Sequence, residues 1–276
     1  MTEERWRLAG SGPESYERYQ VPSVFAPLAR MFLQRVRLQP GQHVLDVACG
    51  TGIIVRQAAP ILGPTGHLVG VDLNVNMLDV AREHALTDGA SVEWRQGDAA
   101  SLPCSDSEFD VVICQQGLQF FPDKGGALRE MYRVLKPGGL VAICVWRAIE
   151  HSPCHLAIAR ALGRHASEEV ARRFQSPFSF GDRAVLDALM TEAGFRDVEI
   201  RVEVVMRRLR PPEESIPGLL ASTPVGPEVA ALDRHTRDAI VQDVAAALSG
   251  YRGEGGLTVP QPTYMASGVK ARLLHA

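Results

Sequence analysis

Short apolar runs alternate with stretches of helical period between residues 22 and 202. Apolar runs without polar alternation are typical of strands buried on both faces, and helices with one apolar stripe are typical of the layers that cover a parallel sheet. The first helix is predicted from Val24 to Val36. Five strands are predicted at residues 43–48, 68–72, 92–96, 109–114 and 140–146. The fold class is therefore predicted as α/β, with a mostly parallel sheet and helices on both faces.

Two later segments complete the predicted sheet. Residues 198–209 alternate apolar and charged positions, which predicts a strand whose charged face, including Arg207, is wet. The face predicted to be buried carries Ile200, Val202, Val204 and Met206. Residues 257–270 are predicted to supply a last strand, antiparallel to its neighbours, so that the sheet has seven strands.

Two segments, residues 151–180 and residues 211–256, interrupt the regular order and are predicted to form an α-helical cap. The second is rich in Pro and Gly and long for a connection, which favours a lid over the binding site; a dimer surface is the alternative. The predicted organisation is an arm and helix at residues 1–40, a core at 41–210 with a cap segment at 151–180, a cap or lid insertion at 211–256, and a last strand and tail at 257–276.

The composition narrows the choice of partners. Among 276 residues, 29 Lys and Arg stand against 32 Asp and Glu, and the net charge of −3 supplies no broad positive field for nucleic acid. No apolar run approaches the roughly 20 residues that a membrane span requires, and the amino terminus has no apolar signal core. The sequence predicts a cytoplasmic monomer or homodimer with a small-molecule partner.

The five cysteines lie far apart and never form a C-x-x-C pair. This spacing indicates neither a zinc site nor a disulfide framework, and no metal is predicted. Cys114 and Cys144 fall inside predicted strands, where a thiol packs as a small core residue.

The most informative segment is a strand that ends in a glycine turn. Asp46 lies within the strand, and Gly50 and Gly52 let the chain turn sharply and expose bare backbone to a ligand. A dinucleotide fingerprint would have a third glycine where this chain has Val55, and would place no carboxylate beside a pyrophosphate. A negative strand end suits a cationic ligand. S-adenosylmethionine meets that demand because it carries an ammonium and a sulfonium and no phosphate.

Two further carboxylates follow later strands. Asp72 lies 20 residues after Gly52 (72 − 52), where an acidic residue can accept hydrogen bonds from ribose hydroxyls; a helix cap is the alternative. Asp98 follows the third strand and can accept from an exocyclic adenine amine, while Ala99 leaves room for the ring. An Asx turn is the alternative at Asp98.

These motifs carry a family resemblance over about residues 40–147. The chain resembles the class I S-adenosylmethionine-dependent methyltransferases, in particular the group that includes the C-methyltransferases of ubiquinone and menaquinone biosynthesis. The matching pieces are Leu45-Asp46-Val47-Ala48-Cys49-Gly50-Thr51-Gly52, Gly70-Val71-Asp72 with Met77-Leu78, Gly97-Asp98-Ala99, Leu102-Pro103, Phe109-Asp110-Val111-Val112, and Glu130 with Arg133-Val134-Leu135-Lys136-Pro137-Gly138-Gly139.

The resemblance implies a Rossmann-like fold and a set of cofactor contacts. Asp46 and the glycine turn would hold the methionine end, Asp72 the ribose, and Met77 one face of adenine. Met77 could instead be a core residue on its helix stripe. The predicted cofactor-binding residues are Asp46, Cys49, Gly50, Thr51, Gly52, Asp72, Leu73, Met77, Asp98, Ala99, Gln115, Gln116 and Tyr19.

Methyl transfer from a sulfonium is an in-line displacement in which the protein mainly aligns donor and acceptor, so a base is optional. His151 is the candidate base and His155 its competitor.

Loops after the strand ends line the crevice in such folds. The residues predicted to bind the acceptor are Tyr16, Gln119, Phe120 and Trp146. Tyr16 and Tyr19 could alternatively pin the arm to the core.

The predicted function is methyl transfer from S-adenosylmethionine to O, N or C of a small, mostly apolar metabolite, such as a quinone precursor or a specialised product. The alternatives are a non-catalytic sensor or partner subunit that binds the cofactor, and an NAD-dependent oxidoreductase, which Asp46 and Val55 disfavour. The run Arg207-Arg208-Leu209-Arg210 suggests either an anionic acceptor or, as strand ends more commonly do, a charged surface in water.

Overall fold

The computed structural model describes Leu8, Gly10, residues 12–84 and residues 88–272. The helices are α1 (Gly12–Ser15), a π-helix (Tyr16–Phe25), α2 (Ala26–Val36), α3 (Ile53–Leu62), α4 (Val75–Glu83), α5 (Lys124–Val134), α6 (Pro153–His165), α7 (Glu168–Gln175), α8 (Arg183–Glu192), α9 (Pro212–Ala221), α10 (Gly226–Ala230) and α11 (Arg234–Ala247). The strands are β1 (His43–Val47), β2 (His67–Asp72), β3 (Ser91–Gln96), β4 (Phe109–Gln115), β5 (Leu135–Trp146), β6 (Arg196–Leu209), β7 (Arg252–Gly253) and β8 (Gly256–Val269).

The strands form one sheet in the order β3-β2-β1-β4-β5-β8-β6, and the two-residue strand β7 pairs with β8. The pairs β1–β2, β1–β4, β2–β3 and β4–β5 are parallel. The seven-stranded, mostly parallel sheet predicted from the sequence is thereby confirmed, with β7 as an addition. The chain reverses its direction of travel across the sheet between β1 and β4. In sheets of this kind ligands bind at that switch point, outside the carboxyl ends of the strands.

The described chain divides into two compact units. The sheet unit consists of Leu28–Val145, Asp182–Glu203 and Tyr264–Ala276, and it holds β1 to β4 and almost all of β5. The helical unit consists of Met1–Pro27, Trp146–Gly181 and Val204–Thr263, and it holds the π-helix, α6, α7 and α9 to α11. The segments before Leu8 and after residue 272 lie outside the described residues. Within the described ranges, no helix is long and apolar enough to cross a membrane.

The core of the sheet unit is built on β1 and β4. Val44, Leu45, Val112 and Ile113 are fully buried, as expected for strands covered on both faces. Cys114 and Cys144 are also fully buried, which confirms their predicted packing role. Because these strands are packed on both faces, the loops that follow them start from fixed positions.

Two acids of the family motifs hold this scaffold together. Asp110 accepts a hydrogen bond from the His43 N–H at 2.8 Å and pairs with the Lys136 ammonium at 2.8 Å. Glu130 accepts from the Leu102 N–H at 2.8 Å and pairs with Arg133. Both carboxylates therefore tie loops and strand starts to the sheet.

The buried face of β6 differs from the prediction. Residues 198–209 are a strand as predicted, but Val202, Val204 and Met206 are 47%, 47% and 43% exposed. Val205 and Arg207 are instead 3% and 1% exposed. Along the strand, burial thus moves from the even-numbered side chain of Ile200 to the odd-numbered side chains of Val205 and Arg207, which lie on the opposite face. Composition alone could not reveal this shift.

The first predicted helix also starts differently. Its α-helical part begins at Ala26, and Val24 and Phe25 belong to the π-helix that precedes it. Pro22 lies inside this π-helix and has no N–H to donate, which interferes with regular α-helical bonding. A π-helix of this length is rare, and such geometry is frequent at functional sites.

Candidate active site

The turn after β1 is wound in left-handed backbone conformations. The φ angles of Ala48, Gly50 and Gly52 are 57°, 55° and 83°. The Cys49 N–H donates to the Val71 carbonyl at 3.0 Å, and the Gly50 N–H donates to Asp72 Oδ2 at 2.8 Å. The turn is therefore held against the end of β2. A non-glycine residue with positive φ, such as Ala48, is the kind of strain that collects at functional sites.

The two glycines of this turn have different neighbours. A Cβ at Gly52 would lie 2.5 Å from Trp94 Cη2, so the space beside Gly52 is filled by the protein itself. A Cβ at Gly50 would meet only Met77 Cε, at 3.7 Å. The space beside Gly50 is therefore the less crowded of the two, and the end of the Met77 side chain lies next to it.

Sequence reasoning missed Trp94. It pairs in register with Gly70 on β2, and a Cβ at Gly70 would lie 2.5 Å from the Trp94 ring. The indole thus covers two glycines, and substitution of either would force it to move. The signal that could have identified Trp94 is a glycine, Gly70, at the paired position of the neighbouring parallel strand, since glycine in a strand often marks a close approach by another group.

Asp46 on β1 is 1% exposed, and its Oδ2 has no hydrogen-bond partner among the described residues. Burial raises the pKa of this carboxyl well above its ordinary value, and the nearby Asp72 charge raises it further. A cationic ligand would reverse both effects because it supplies the missing donor and the missing charge.

Asp72 at the end of β2 accepts two backbone hydrogen bonds, from Gly50 to Oδ2 and from Asn74 to Oδ1, each at 2.8 Å. The N-cap of α4 is Asn74, whose side chain accepts from the Asn76 N–H, so Asp72 is not the cap. Burial raises the pKa of Asp72, although its backbone hydrogen bonds oppose the shift. The adjacent Leu73 is 41% exposed.

Asp98 forms the Asx turn that the sequence left open. Its Oδ1 accepts from the Ala100 N–H at 2.8 Å. Asp98 itself is exposed, and Ala99 is buried. The Gly97 N–H donates to the Asp72 carbonyl at 3.1 Å, which brings this loop to the end of β2.

The end of β4 presents three glutamines. Gln116 has a φ of 58°, and its amide oxygen accepts from Gln119 Nε2 at 3.1 Å. Gln116 Nε2 lies 3.4 Å from Cys144 Sγ. Gln119 is buried, while Gln115 and the following Phe120 are half-buried.

Four buried side-chain oxygens in the sheet unit lack a hydrogen-bond partner among the described residues. They are Asp46 Oδ2, Thr51 Oγ1, Gln115 Oε1 and Gln119 Oε1. Asp46 and Gln115 lie in the last two residues of β1 and β4, Thr51 and Gln119 lie in the segments that follow these strands, and all four oxygens can accept hydrogen bonds. An ammonium can donate to every oxygen of this set, whereas a phosphate would find a donor only in the Thr51 hydroxyl. The residues therefore fit the methionine end of S-adenosylmethionine.

Cys49 lies in the same turn but its thiol is not activated. Burial raises its pKa well above the ordinary value, and the Asp72 and Asp46 charges raise it further. The thiol therefore stays protonated, which excludes a thiolate role. Among the described residues, no three His, Cys, Asp or Glu side chains are grouped so as to hold a metal ion.

The remaining predicted residues lie in the helical unit. Tyr19 packs against Gly218 of α9, where an added Cβ would lie 2.5 Å from its ring, so within this unit it anchors the π-helix. His151 is exposed, and its Nε2 lies 3.0 Å from Arg147 Nη2. Both Tyr16 and Trp146 contact Phe25. The ring centroid of Phe25 lies 5.1 Å from that of Tyr16 and 6.0 Å from that of Trp146.

These contacts belong to a longer series of rings within the helical unit, which we call the aromatic arc. Trp146 stacks with Phe178 at 6.3 Å, and His155 lies 4.7 Å from Phe178 and 5.8 Å from Phe174. The arc consists of Tyr16, Phe25, Trp146, Phe178, His155 and Phe174. Sequence reasoning named Tyr16 and Trp146 but not the phenylalanines, because no periodicity links residues from three separate segments.

Comparison with known proteins identifies the family. Residues 44–139 match a methyltransferase domain. A demethylmenaquinone methyltransferase of Staphylococcus carnosus is 36% identical over 180 residues, which make up 61% of this chain and 74% of the relative. The chain belongs to the class I S-adenosylmethionine-dependent methyltransferases. A ubiquinone/menaquinone biosynthesis C-methyltransferase of Ectopseudomonas mendocina is 35% identical over 181 residues, 61% of this chain and 71% of the relative.

The fold of this methyltransferase is shared with solved structures. Phosphoethanolamine N-methyltransferase 2 of Haemonchus contortus, solved with phosphomonomethylethanolamine and S-adenosylhomocysteine, matches with a TM-score of 0.58 and 22% identity. The match covers 96% of this chain and 61% of that chain. The predicted family, fold, enzyme class and cofactor are confirmed, and the oxidoreductase alternative is not supported.

Proposed function

We propose that this methyltransferase acts on a small, mostly apolar metabolite with a ring system, of the quinone-precursor or specialised-product class, and that the helical unit holds it. The observation that carries the proposal is the aromatic arc. Its rings offer flat apolar surfaces, which bind flat apolar ligands well. Two relatives are named as a demethylmenaquinone methyltransferase and a ubiquinone/menaquinone biosynthesis C-methyltransferase, and these names support a quinone precursor as the class of acceptor.

The sheet unit supplies the cofactor site in this proposal. Asp46 accepts hydrogen bonds from the ammonium, with the orphaned oxygens of Thr51 and Gln115 as further acceptors. Asp72 accepts from the ribose hydroxyls, and adenine lies between Met77 and Ala99. When bound, the cofactor supplies an electrophilic methyl group on a sulfonium. The contribution of the chain is to align the reacting groups and to exclude water.

We propose His155 as the base, in place of His151, for an acceptor that must lose a proton. His155 keeps a partly exposed edge, yet burial lowers the pKa of its imidazole well below the ordinary value and the Arg207 charge lowers it further. Its Nδ1 has no hydrogen-bond partner among the described residues. A neutral imidazole among apolar rings can accept a proton, whereas His151 faces a guanidinium at the surface.

Methyl transfer with labelled cofactor tests the proposal. The enzyme is incubated with trideuteromethyl-labelled S-adenosylmethionine and one of three acceptors: a reduced demethylmenaquinone with a short side chain, 2-naphthol, or phosphoethanolamine as a polar control. Mass spectrometry should find the label on one of the ring compounds. Label on phosphoethanolamine alone would overturn the apolar acceptor. Tight binding of S-adenosylhomocysteine without transfer to any compound would favour the non-catalytic alternative.

Trp146→Ala locates the acceptor in the same assay. Loss of a ring from the aromatic arc should lower transfer about tenfold or more, since one buried aromatic contact is worth roughly 0.5–1.5 kcal/mol beyond its buried area. The affinity for S-adenosylhomocysteine, measured by calorimetry, should not change. Phe195→Ala, which removes a buried ring that contacts Tyr132 in the sheet unit, is the control for general loss of packing.

A further inference from the structure

Arg207 is a buried cation without a carboxylate partner among the described residues. It is 1% exposed, and its Nη2 donates a hydrogen bond to Gln20 Oε1 at 3.1 Å. Nε and Nη1 are buried and have no hydrogen-bond partner among the described residues. Gln20 is held in turn because its Nε2 donates to Ser222 Oγ at 2.8 Å. A neutral amide is therefore the partner of a buried positive charge.

Such an arrangement is costly unless something compensates for it. An unpaired buried charge destabilises a fold, and buried guanidinium groups are normally paired with anions. Burial lowers the pKa of Arg207, and the groups that oppose this shift are Cys154 and Tyr16, neither of them a carboxylate. Arg208 and Arg210 on the same strand end are exposed, and Arg210 pairs with Glu214. The charged-surface alternative from the sequence holds for those two arginines and not for Arg207.

Arg207 is close enough to the aromatic arc for its charge to act on two members of the arc. Its charge acts on Tyr16, the first ring of the arc, and on His155, near the other end. Two further polar atoms of the helical unit, Gln261 Oε1 and His155 Nδ1, also lack hydrogen-bond partners among the described residues. The helical unit thus combines apolar ring surfaces with a cation whose donors are unused.

We propose that Arg207 binds an anionic oxygen of the methyl acceptor, which is therefore an apolar acid, with a carboxylate or an ionised phenol attached to its ring system. The Gln20 amide oxygen occupies the position of that oxygen, and the acceptor displaces it. Gln20 lies on the π-helix, so entry of the acceptor moves this helix away from Arg207. A charge-assisted hydrogen bond is stronger than the amide contact that it replaces. The inference rests on the proposed function, since it assigns the acceptor to the helical unit.

Binding of matched probes tests this inference. With S-adenosylhomocysteine saturating, calorimetry measures the affinities of 2-naphthoate, the neutral 2-naphthamide and 2-naphthol. The wild type should bind at least one of the two acidic probes about tenfold or more tightly than the amide. The stronger of naphthoate and naphthol tells whether the acceptor is a carboxylic acid or a phenol. Equal affinity for all three probes would overturn the proposal.

Variants of neighbouring arginines separate a binding role from a structural one. Arg207→Gln should abolish the preference for the acidic probe, Arg207→Lys should keep part of it, and the matched control Arg208→Gln should leave it unchanged. Arg207→Met should unfold at the same temperature as the wild type or a higher one, because it removes an unpaired buried charge. A lower unfolding temperature together with an unchanged probe preference in Arg207→Gln would show a purely structural arginine. Arg207→Lys keeps the charge, so it serves the binding test if the glutamine variant fails to fold.

The outcome is distinguishable from failure of the proposed function. S-adenosylhomocysteine affinity is measured separately for each variant and should stay at the wild-type value. A wild type that prefers the acidic probe but transfers no methyl group would overturn the proposed function and leave the assignment of Arg207 standing. Methyl transfer to a neutral ring compound, together with equal affinity for all three probes, would support the proposed function and overturn the assignment of Arg207.

Discussion

The Gly50 N–H donates a hydrogen bond to the Asp72 carboxylate, with 2.8 Å between N and Oδ2. One acid therefore both shapes the glycine turn and, in our proposal, binds the ribose. Asp72→Ala should weaken S-adenosylhomocysteine binding at least about tenfold, because a hydrogen bond to a charged group is worth about 1.5–3 kcal/mol. It should also lower the free energy of unfolding, since the N–H groups of Gly50 and Asn74 lose their acceptor.

Calorimetry and urea unfolding check both effects. Asp79→Ala on α4 is the matched control, since Asp79 is exposed and its ion pair among the described residues is with Arg82, at 2.7 Å. It should change neither quantity measurably. If Asp72→Ala loses stability but keeps full affinity, Asp72 is a scaffold residue and the ribose is held elsewhere.

The two glycines of the turn should respond differently to alanine. Both have positive φ, so each substitution costs about 1–2 kcal/mol of backbone strain. Gly52→Ala adds a clash with Trp94 and should destabilise the protein by about 1–3 kcal/mol more. Gly50→Ala meets only the flexible end of Met77, and its main effect should be lost cofactor affinity.

Thermal unfolding with and without S-adenosylhomocysteine distinguishes the two variants. Without ligand, Gly52→Ala should unfold at a lower temperature than Gly50→Ala. On addition of S-adenosylhomocysteine, the unfolding temperature of Gly50→Ala should rise by less than that of Gly52→Ala. Equal unfolding temperatures for the two variants would contradict the role given to Trp94.

Asp46→Asn should make the protein more stable and a poorer cofactor binder. The folded-state pKa of Asp46 lies above its unfolded value of 3.8, so its contribution to stability is present below about pH 4 and is lost as the pH rises through the folded-state pKa. At neutral pH the buried carboxylate, whose Oδ2 has no hydrogen-bond partner among the described residues, then costs free energy, and asparagine should raise the free energy of unfolding by about 1–3 kcal/mol. The gain over wild type should disappear below pH 4.

The same variant should bind S-adenosylhomocysteine about tenfold or more weakly at neutral pH, since the ammonium loses a charged acceptor. Urea unfolding at several pH values measures the stability of Asp46→Asn, and calorimetry at neutral pH measures its affinity for S-adenosylhomocysteine. A variant that is destabilised at neutral pH, or that binds with wild-type affinity, would refute the assignment of Asp46 to the methionine end.

How far the sequence predicts this enzyme depends on how locally each feature is encoded. Asp46, Gly50 and Asp72 lie in short segments whose strand-turn-helix order fixes their positions, so their convergence could be predicted. The roles of Trp94 and Arg207 depend on partners distant in sequence, Gly52 and Gln20 respectively. Arg207 was expected to face water because its run of charges is typical of a surface. In β6 the buried face changes between Ile200 and Val205, and no local pattern reports which face of a strand the rest of the chain covers.

His155→Gln should slow methyl transfer without weakening cofactor binding. Burial holds the folded-state pKa of His155 below its ordinary value of 6.5, so the imidazole is neutral at neutral pH and one of its ring nitrogens has a free lone pair. Loss of a positioned base lowers turnover by roughly 10²–10⁴-fold. The matched control is His151→Gln at the exposed site, which should keep wild-type turnover. The reverse result, with loss of turnover only in His151→Gln, would restore the base predicted from the sequence.

The same imidazole gives a stability readout that does not depend on the acceptor. Because the folded state resists protonation, the stability contributed by neutral His155 is present above pH 6.5 and is lost as the pH falls through the lowered folded-state pKa. The shift has two causes, burial in the surrounding protein and the Arg207 charge, and the Gln261 side chain opposes it by raising the pKa. His155→Gln should therefore lose less stability than the wild type between pH 6.5 and pH 5, and His151→Gln should follow the wild type. Identical pH profiles for all three proteins would mean that His155 is hydrated like a surface histidine, and it could then not serve as the neutral base.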